Sequence, residues 1–204
     1  MTEPKNAYSY LALGDSYTIG QSVLSSENFP NQTVQLLNQQ NYNFKSPEIL
    51  ATTGWTTDEL QNNINSHTFT PPYDFVSLLI GVNNQYRGRS VENYKPEFES
   101  LLKQAIQFAG GNANRVIIVS IPDWGVTPFA DGRDMTQIAR EIDDYNAANR
   151  YISEIYKVRY IDITPGSREA ATDPSLVAGD GLHPSAKEYT RWAQKVFAVI
   201  KQQL

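Results

Sequence analysis

Short apolar runs alternate along this chain with longer stretches whose apolar residues recur at helical spacing. Tyr8 to Leu13 reads as a buried strand broken by Gly14, and FPNQTVQLLNQQNYNF (29–44) carries helical spacing through Val34, Leu37 and Asn38, with Pro30 near its start. EILA (48–51) is a short strand closed by Thr52-Thr53-Gly54, and Thr56-Thr57-Asp58 then caps a helix containing Leu60 and Ile64. YDFVSLLIG (73–81) is apolar, of strand length, and ends in glycine; a helix from about Ser90 to Phe108 follows. RVIIVSI (115–121) is β-branched and apolar throughout, as expected of a strand covered on both faces. A loop rich in Gly, Pro and aromatics (122–134) leads into a long helix reaching about Lys157, then strand RYIDI (159–163). Irregular chain runs to His183, and Pro184 opens a last helix ending near Gln203.

Five strands alternating with helices predict one α/β domain over residues 1–204. The expected architecture is three layers, a five-stranded parallel sheet with helices on both faces. The right-handed crossover rule favours the strand order 2-1-3-4-5. Ligands of such sheets sit beyond the carboxyl ends of the strands. Gly14-Asp15-Ser16 follows the first strand, Gly54 the second, Gly81-Val82-Asn83-Asn84 the third, and Gly179-Asp180-Gly181-Leu182-His183-Pro184 lies beyond the fifth.

Those residue types complement one another. A serine hydroxyl becomes a nucleophile when a base takes its proton, and histidine titrates in the right range. Asp180, three residues before His183, is close enough to accept from the other ring nitrogen and fix the tautomer. The N–H groups of Ser16 and Gly54 and the amide of Asn83 are candidate donors to an oxyanion. Each residue alone also has a plainer explanation. Gly-Asp-Ser is a common helix N-cap, Gly54 a turn glycine, and Asn83 and Asn84 are frequent turn residues. Asp15 is read as structural, because neighbours on a tight turn point apart, and His67 as a surface loop residue. Tyr17, Trp55, Tyr86, Arg87, Trp124 and Phe129 flank the strand ends and are candidate substrate contacts.

Taken together, GDSYT, TTGWTT, GVNN and DGLHP resemble, in order, the four motif blocks of the GDSL esterases and lipases, or SGNH hydrolases. The resemblance spans Gly14 to Pro184. It implies a flavodoxin-like SGNH hydrolase fold and a serine esterase in which Ser16 attacks, His183 is the base, Asp180 orients it, and Ser16, Gly54 and Asn83 form the oxyanion hole. Small acyl esters, acetylated sugars and lysophospholipids are the substrate classes it suggests. Two positions depart from the family: Tyr17 replaces the usual aliphatic after the serine, and Asn84 stands where GxND has Asp, which bears on the placement of Asn83. The competing reading is a non-catalytic flavodoxin-like or sugar-binding relative. A G-x-S-x-G elbow, a Walker loop and G-x-G-x-x-G are all missing after the first strand.

Composition narrows the partners. The 204 residues carry a net charge of -5 and no basic cluster, which argues against nucleic acid. With no cysteine and two histidines, neither a disulfide nor a zinc site is expected, and no cofactor is implied. No apolar segment reaches membrane-span length, and MTEPKNAYSY has no signal-peptide pattern. The expectation is a monomer acting on a small-molecule or lipid ester without membrane insertion. Its expected place is the cytoplasm, or outside the cell if a leader has been removed.

Overall fold

The computed structural model describes residues 7–204. Strand β1 (Tyr10–Asp15) runs directly into a single helical turn, α1 (Ser16–Ile19), and α2 (Phe29–Gln39) follows. Next come β2 (Glu48–Thr52), α3 (Thr57–Ser66), β3 (Phe75–Leu79), α4 (Val82–Tyr86) and α5 (Val91–Phe108). The chain continues through β4 (Val116–Val119), α6 (Met135–Tyr156), β5 (Arg159–Ile161), α7 (Thr164–Ser167) and α8 (Ala186–Lys201). The strands form one parallel sheet in the order β2-β1-β3-β4-β5, as the crossover rule predicts. Every residue of β1, β3 and β4 is buried, so both faces of the sheet are covered. Helices α2 and α8 pack on each other; α3, α5 and α6 form a second group.

Several boundaries differ from the sequence reading. Gly14 does not break β1. It lies within the strand, paired in register with Ala51 and Leu79, and only glycine fits there because a Cβ would stand 2.4 Å from the Leu79 carbonyl oxygen and 2.2 Å from Thr18 Oγ1. Helix α2 stops at Gln39, not near residue 44. Asn41 turns left-handed with φ 64°, and Asn38 grips the returning Phe44 through its backbone N–H (2.8 Å) and carbonyl (3.1 Å). The last helix begins at Ala186, with Ser185 as N-cap accepting from the Glu188 N–H. The region between β5 and α8 holds the short α7 and two 3₁₀ turns, too brief to leave a periodic pattern. His67 ends α3, where its Nε2 lies 3.0 Å from Glu48 Oε1 at the amino-terminal end of β2, away from the Ser16 end of the sheet. Among the described residues, no helix is long and apolar enough to cross a membrane.

Candidate active site

The junction of β1 and α1 decides how Ser16 is presented. Asp15, not Ser16, is the N-cap: its Oδ1 accepts from the Tyr17 N–H at 3.0 Å, and Ser16 is the first helical residue. Asp15 is fully buried, and desolvation pushes its carboxyl up from 3.8 to about 7, against hydrogen bonds from the Tyr17 N–H and the Asn83 amide. Ser16 faces the other way. Its Oγ lies 2.9 Å from His183 Nε2, and His183 Nδ1 lies 2.6 Å from Asp180 Oδ2. Residues 167 positions apart are thus in hydrogen-bond contact.

The loop before α8 builds the second half. Asp180 Oδ1 accepts the backbone N–H groups of Leu182 and His183, both at 3.0 Å, which aims its other oxygen at the imidazole. Partial burial alone would raise the pKa of Asp180. Hydrogen bonds from Ser22, His183 and the two N–H groups outweigh it and hold the carboxyl well below the usual carboxylate range. Asp180 is therefore an anion at neutral pH. The Tyr17 ring sits 5.1 Å from the His183 ring, and burial pushes its phenol far up, so it is a neutral wall.

Gly54 and Asn83 reach the same place from β2 and β3. Gly54 has φ 87°, a conformation that excludes most side chains, and its carbonyl accepts from Arg87 Nη2 at 2.8 Å. Asn83 Nδ2 donates to the Trp55 carbonyl at 3.0 Å and, at a longer 3.3 Å, to Asp15 Oδ2. Asn84 is completely buried and reads Thr57 twice: its Oδ1 accepts the Thr57 N–H at 3.1 Å, and its Nδ2 donates to Thr57 Oγ1 at 2.7 Å. Thr57 in turn donates its hydroxyl proton to Glu97 Oε2. An amide serves here because Thr57 Oγ1 must accept; a carboxylate could not donate to it.

A cavity of about 140 Å³ opens beside Ser16 and His183, lined by Tyr17, Thr53, Gly54, Val82, Asn83, Tyr86, Trp124, Phe129 and Leu182. The Tyr86, Trp124 and Phe129 rings pack pairwise at centroid distances of 5.4, 6.0 and 5.9 Å. Trp124 is fixed by donating Nε1–H to Gln85 Oε1 at 2.7 Å. Larger grooves exist, such as one of about 470 Å³ lined by Asp143, Arg150, Tyr160 and Asp162. That groove is open and is lined by ion-paired charges, Arg150 with Asp162 and Arg168 with Asp143. The small cavity is the one that adjoins a serine–histidine pair.

Among the residues expected at the site from sequence, Ser16, Tyr17, Gly54, Asn83, Tyr86, Trp124, Phe129 and His183 line the cavity, and Asp180 stands behind the imidazole. Trp55 and Arg87 do not line it. The Trp55 ring packs against the core, leaving only its carbonyl to hold Asn83, and Arg87 is engaged with Gly54 and with Glu59 at 3.2 Å. Thr53, Val82 and Leu182 have no chemistry that marks them in sequence; they are found as the residues adjoining Gly54, Asn83 and His183. Among the described residues, no group of three or more His, Asp or Glu side chains could hold a metal ion.

Comparison with solved structures returns the same fold. TesA aligns with a TM-score of 0.75 at 16% identity, covering 96% of this chain and 99% of its own. A lipolytic G-D-S-L protein from Veillonella parvula gives 0.73 at 20% identity, covering 96% and 100%. Axe2, an acetylxylan esterase from Geobacillus stearothermophilus, gives 0.71 at 18%, covering 95% and 94%. No curated protein matches by sequence. The sequence profile of the GDSL-like lipase/acylhydrolase family matches residues 12–191. A match of that extent places the protein, by its own sequence, in the GDSL-like lipase/acylhydrolase family of carboxylic ester hydrolases.

Proposed function

We propose that the protein hydrolyses esters of short acyl chains by nucleophilic catalysis at Ser16. The observation that carries this reading is the unbroken line Ser16 Oγ, His183 Nε2, His183 Nδ1, Asp180 Oδ2, with contacts of 2.9 and 2.6 Å. Ser16 Oγ attacks the ester carbonyl carbon while its proton passes to His183 Nε2. The carbonyl oxygen becomes an oxyanion, received by the N–H groups of Ser16 and Gly54 and by Asn83 Nδ2. The Asn83 amide reaches it by exchanging its longer bond, the one to Asp15. Collapse of the tetrahedral species breaks the bond to the alcohol oxygen, which leaves with the proton from His183. Water then attacks the acyl-enzyme, gives a proton to His183, and the carboxylic acid departs as Ser16 recovers its proton. Asp180, ionised throughout, stabilises the imidazolium at each stage.

Cavity size supports a short acyl group. At roughly 30 Å³ for each solvent-sized group, 140 Å³ takes about four or five of them, room for acyl groups up to butyryl. Acetylated sugars belong among the substrates to screen, given the acetylxylan esterase with the same fold. The test uses p-nitrophenyl esters from acetate to octanoate, with Ser16→Ala and His183→Ala alongside. Each single variant, and the double, should lose about three or more powers of ten in kcat, non-additively. A fluorophosphonate should label the parent and not Ser16→Ala. A Ser16→Ala protein as active as its parent refutes the mechanism.

A further inference from the structure

Asp180 receives four hydrogen bonds, and three come from its own loop: the N–H groups of Leu182 and His183 on Oδ1, and His183 Nδ1 on Oδ2. The fourth arrives from far away in sequence. Ser22 Oγ donates to Oδ2 at 2.6 Å across 158 positions. The backbone there is unusual: Ser22 has φ 69°, a left-handed conformation that residues with a side chain seldom adopt. Among the described residues only Asn41 and Lys157 share this feature without being glycine, and both lie where a helix ends. Ser22 has no such role, since Gly20 already caps α1. Ser22 is exposed, so core packing does not dictate its conformation either. Its neighbour Gln21 accepts at 2.7 Å from Thr53 Oγ1, next to Gly54.

We propose that Ser22 is a positioning residue for the ester hydrolysis described above, its hydroxyl fastening the turn behind Ser16 to the carboxylate that orients His183. This rests on the assignment of Ser16, His183 and Asp180. The Ser16–His183 contact is broken and remade as the proton moves in every cycle. The Ser22–Asp180 contact involves no reacting atom and persists, holding the two ends of the chain in register. It also shares the negative charge of Oδ2, which would otherwise act on the imidazole alone. Other acids near His183 are satisfied elsewhere: Asp15 by Tyr17 N–H and Asn83, Asp123 by Gly125 N–H and Arg168, Glu188 by Arg191 and Trp192. None of these bonds involves Ser22.

Two variants separate positioning from structure. Ser22→Gly removes the hydroxyl and relieves the backbone, whereas Ser22→Asn keeps a donor on a residue that tolerates the left-handed region. For Ser22→Gly, kcat on p-nitrophenyl acetate should fall about tenfold with KM nearly unchanged, while thermal stability stays equal or rises. Its acidic pH–rate limb should move to higher pH, because the unshared charge on Oδ2 favours the imidazolium. The His183 ring resonances, followed by NMR against pH in parent and variant, should differ in the same direction as that limb. Ser22→Asn should recover most of the rate. A Ser22→Gly protein with parental kcat, pH limb and His183 titration overturns the proposal. Should Ser16→Ala instead prove fully active, the catalytic assignment falls, and the His183 titration still judges the Ser22 contact independently.

Discussion

Asp15, the residue preceding the proposed nucleophile, is a carboxyl group with no exposure and, among the described residues, no cationic partner. Replacing it by Asn tests the physics of this site through stability. In the folded protein its pKa is raised from 3.8 to about 7, so the native state binds this proton more tightly than the unfolded chain does. The stabilisation is complete below pH 4, declines as pH rises, and is gone above pH 7. Each pH unit separating the folded and unfolded values corresponds to about 1.4 kcal/mol, so the parent loses about 4 kcal/mol from this group across the whole window. Between pH 5 and 8 the loss is about 3 kcal/mol. An asparagine at this position can still accept the Tyr17 N–H, though its NH₂ then opposes the Asn83 amide. That mismatch does not vary with pH. The difference in unfolding free energy, Asp15→Asn minus parent, should therefore move by about 3 kcal/mol in favour of the variant from pH 5 to pH 8. Urea denaturation at pH 5, 6, 7 and 8 measures it, and taking the difference cancels the opposite contribution of Asp180. A difference constant to within about 1 kcal/mol over that range would refute the claim that burial governs Asp15.

Gly81→Ala should destabilise the protein by about 2–5 kcal/mol in the same urea assay. Gly81 has φ 128°, and a Cβ there would lie 2.7 Å from the hydroxyl oxygen of the fully buried Tyr94. A cost below about 1 kcal/mol would contradict the geometry. Asn84→Asp restores the residue usual in the family, yet here it should cost about 1–3 kcal/mol at pH 8, because it loses the donor to Thr57 Oγ1. A more stable variant would show that Thr57 and Glu97 rearrange freely. Phe129→Ala opens one wall of the cavity at a residue that is 41% exposed. With about 0.8 kcal/mol for each newly buried methylene, the hexanoate-to-acetate ratio of kcat/KM should rise about tenfold. An unchanged ratio would remove Phe129 from the acyl site.

How far the sequence reveals this molecule depends on the range of the forces involved. Strands β1, β3 and β4 are buried on both faces and therefore written as apolar runs, so their existence and order could be read directly. The proposed chemical groups were legible for a related reason: parallel strands end in turns at one edge, and those turns hold Ser16, Gly54 and Asn83. Features set by single long-range contacts were not legible. The end of α2 depends on Asn38 clasping Phe44, and the continuity of β1 through Gly14 on its pairing with Ala51 and Leu79, where only a glycine escapes the Leu79 carbonyl. Arg87 carries a charge near the site and reads naturally as a substrate contact, but Glu59 and the Gly54 carbonyl claim its guanidinium. Ser22 gives no local signal at all, since nothing in GQSV announces a partner 158 positions away.

The contact between Ser16 and His183 joins residues 167 positions apart. No fragment that folds from one terminus alone can hold both groups, and a partly denatured chain cannot keep them together. On the proposed mechanism, turnover is an all-or-none gauge of native structure: on heating, residual activity should track the fraction of intact molecules with no partially competent species in between.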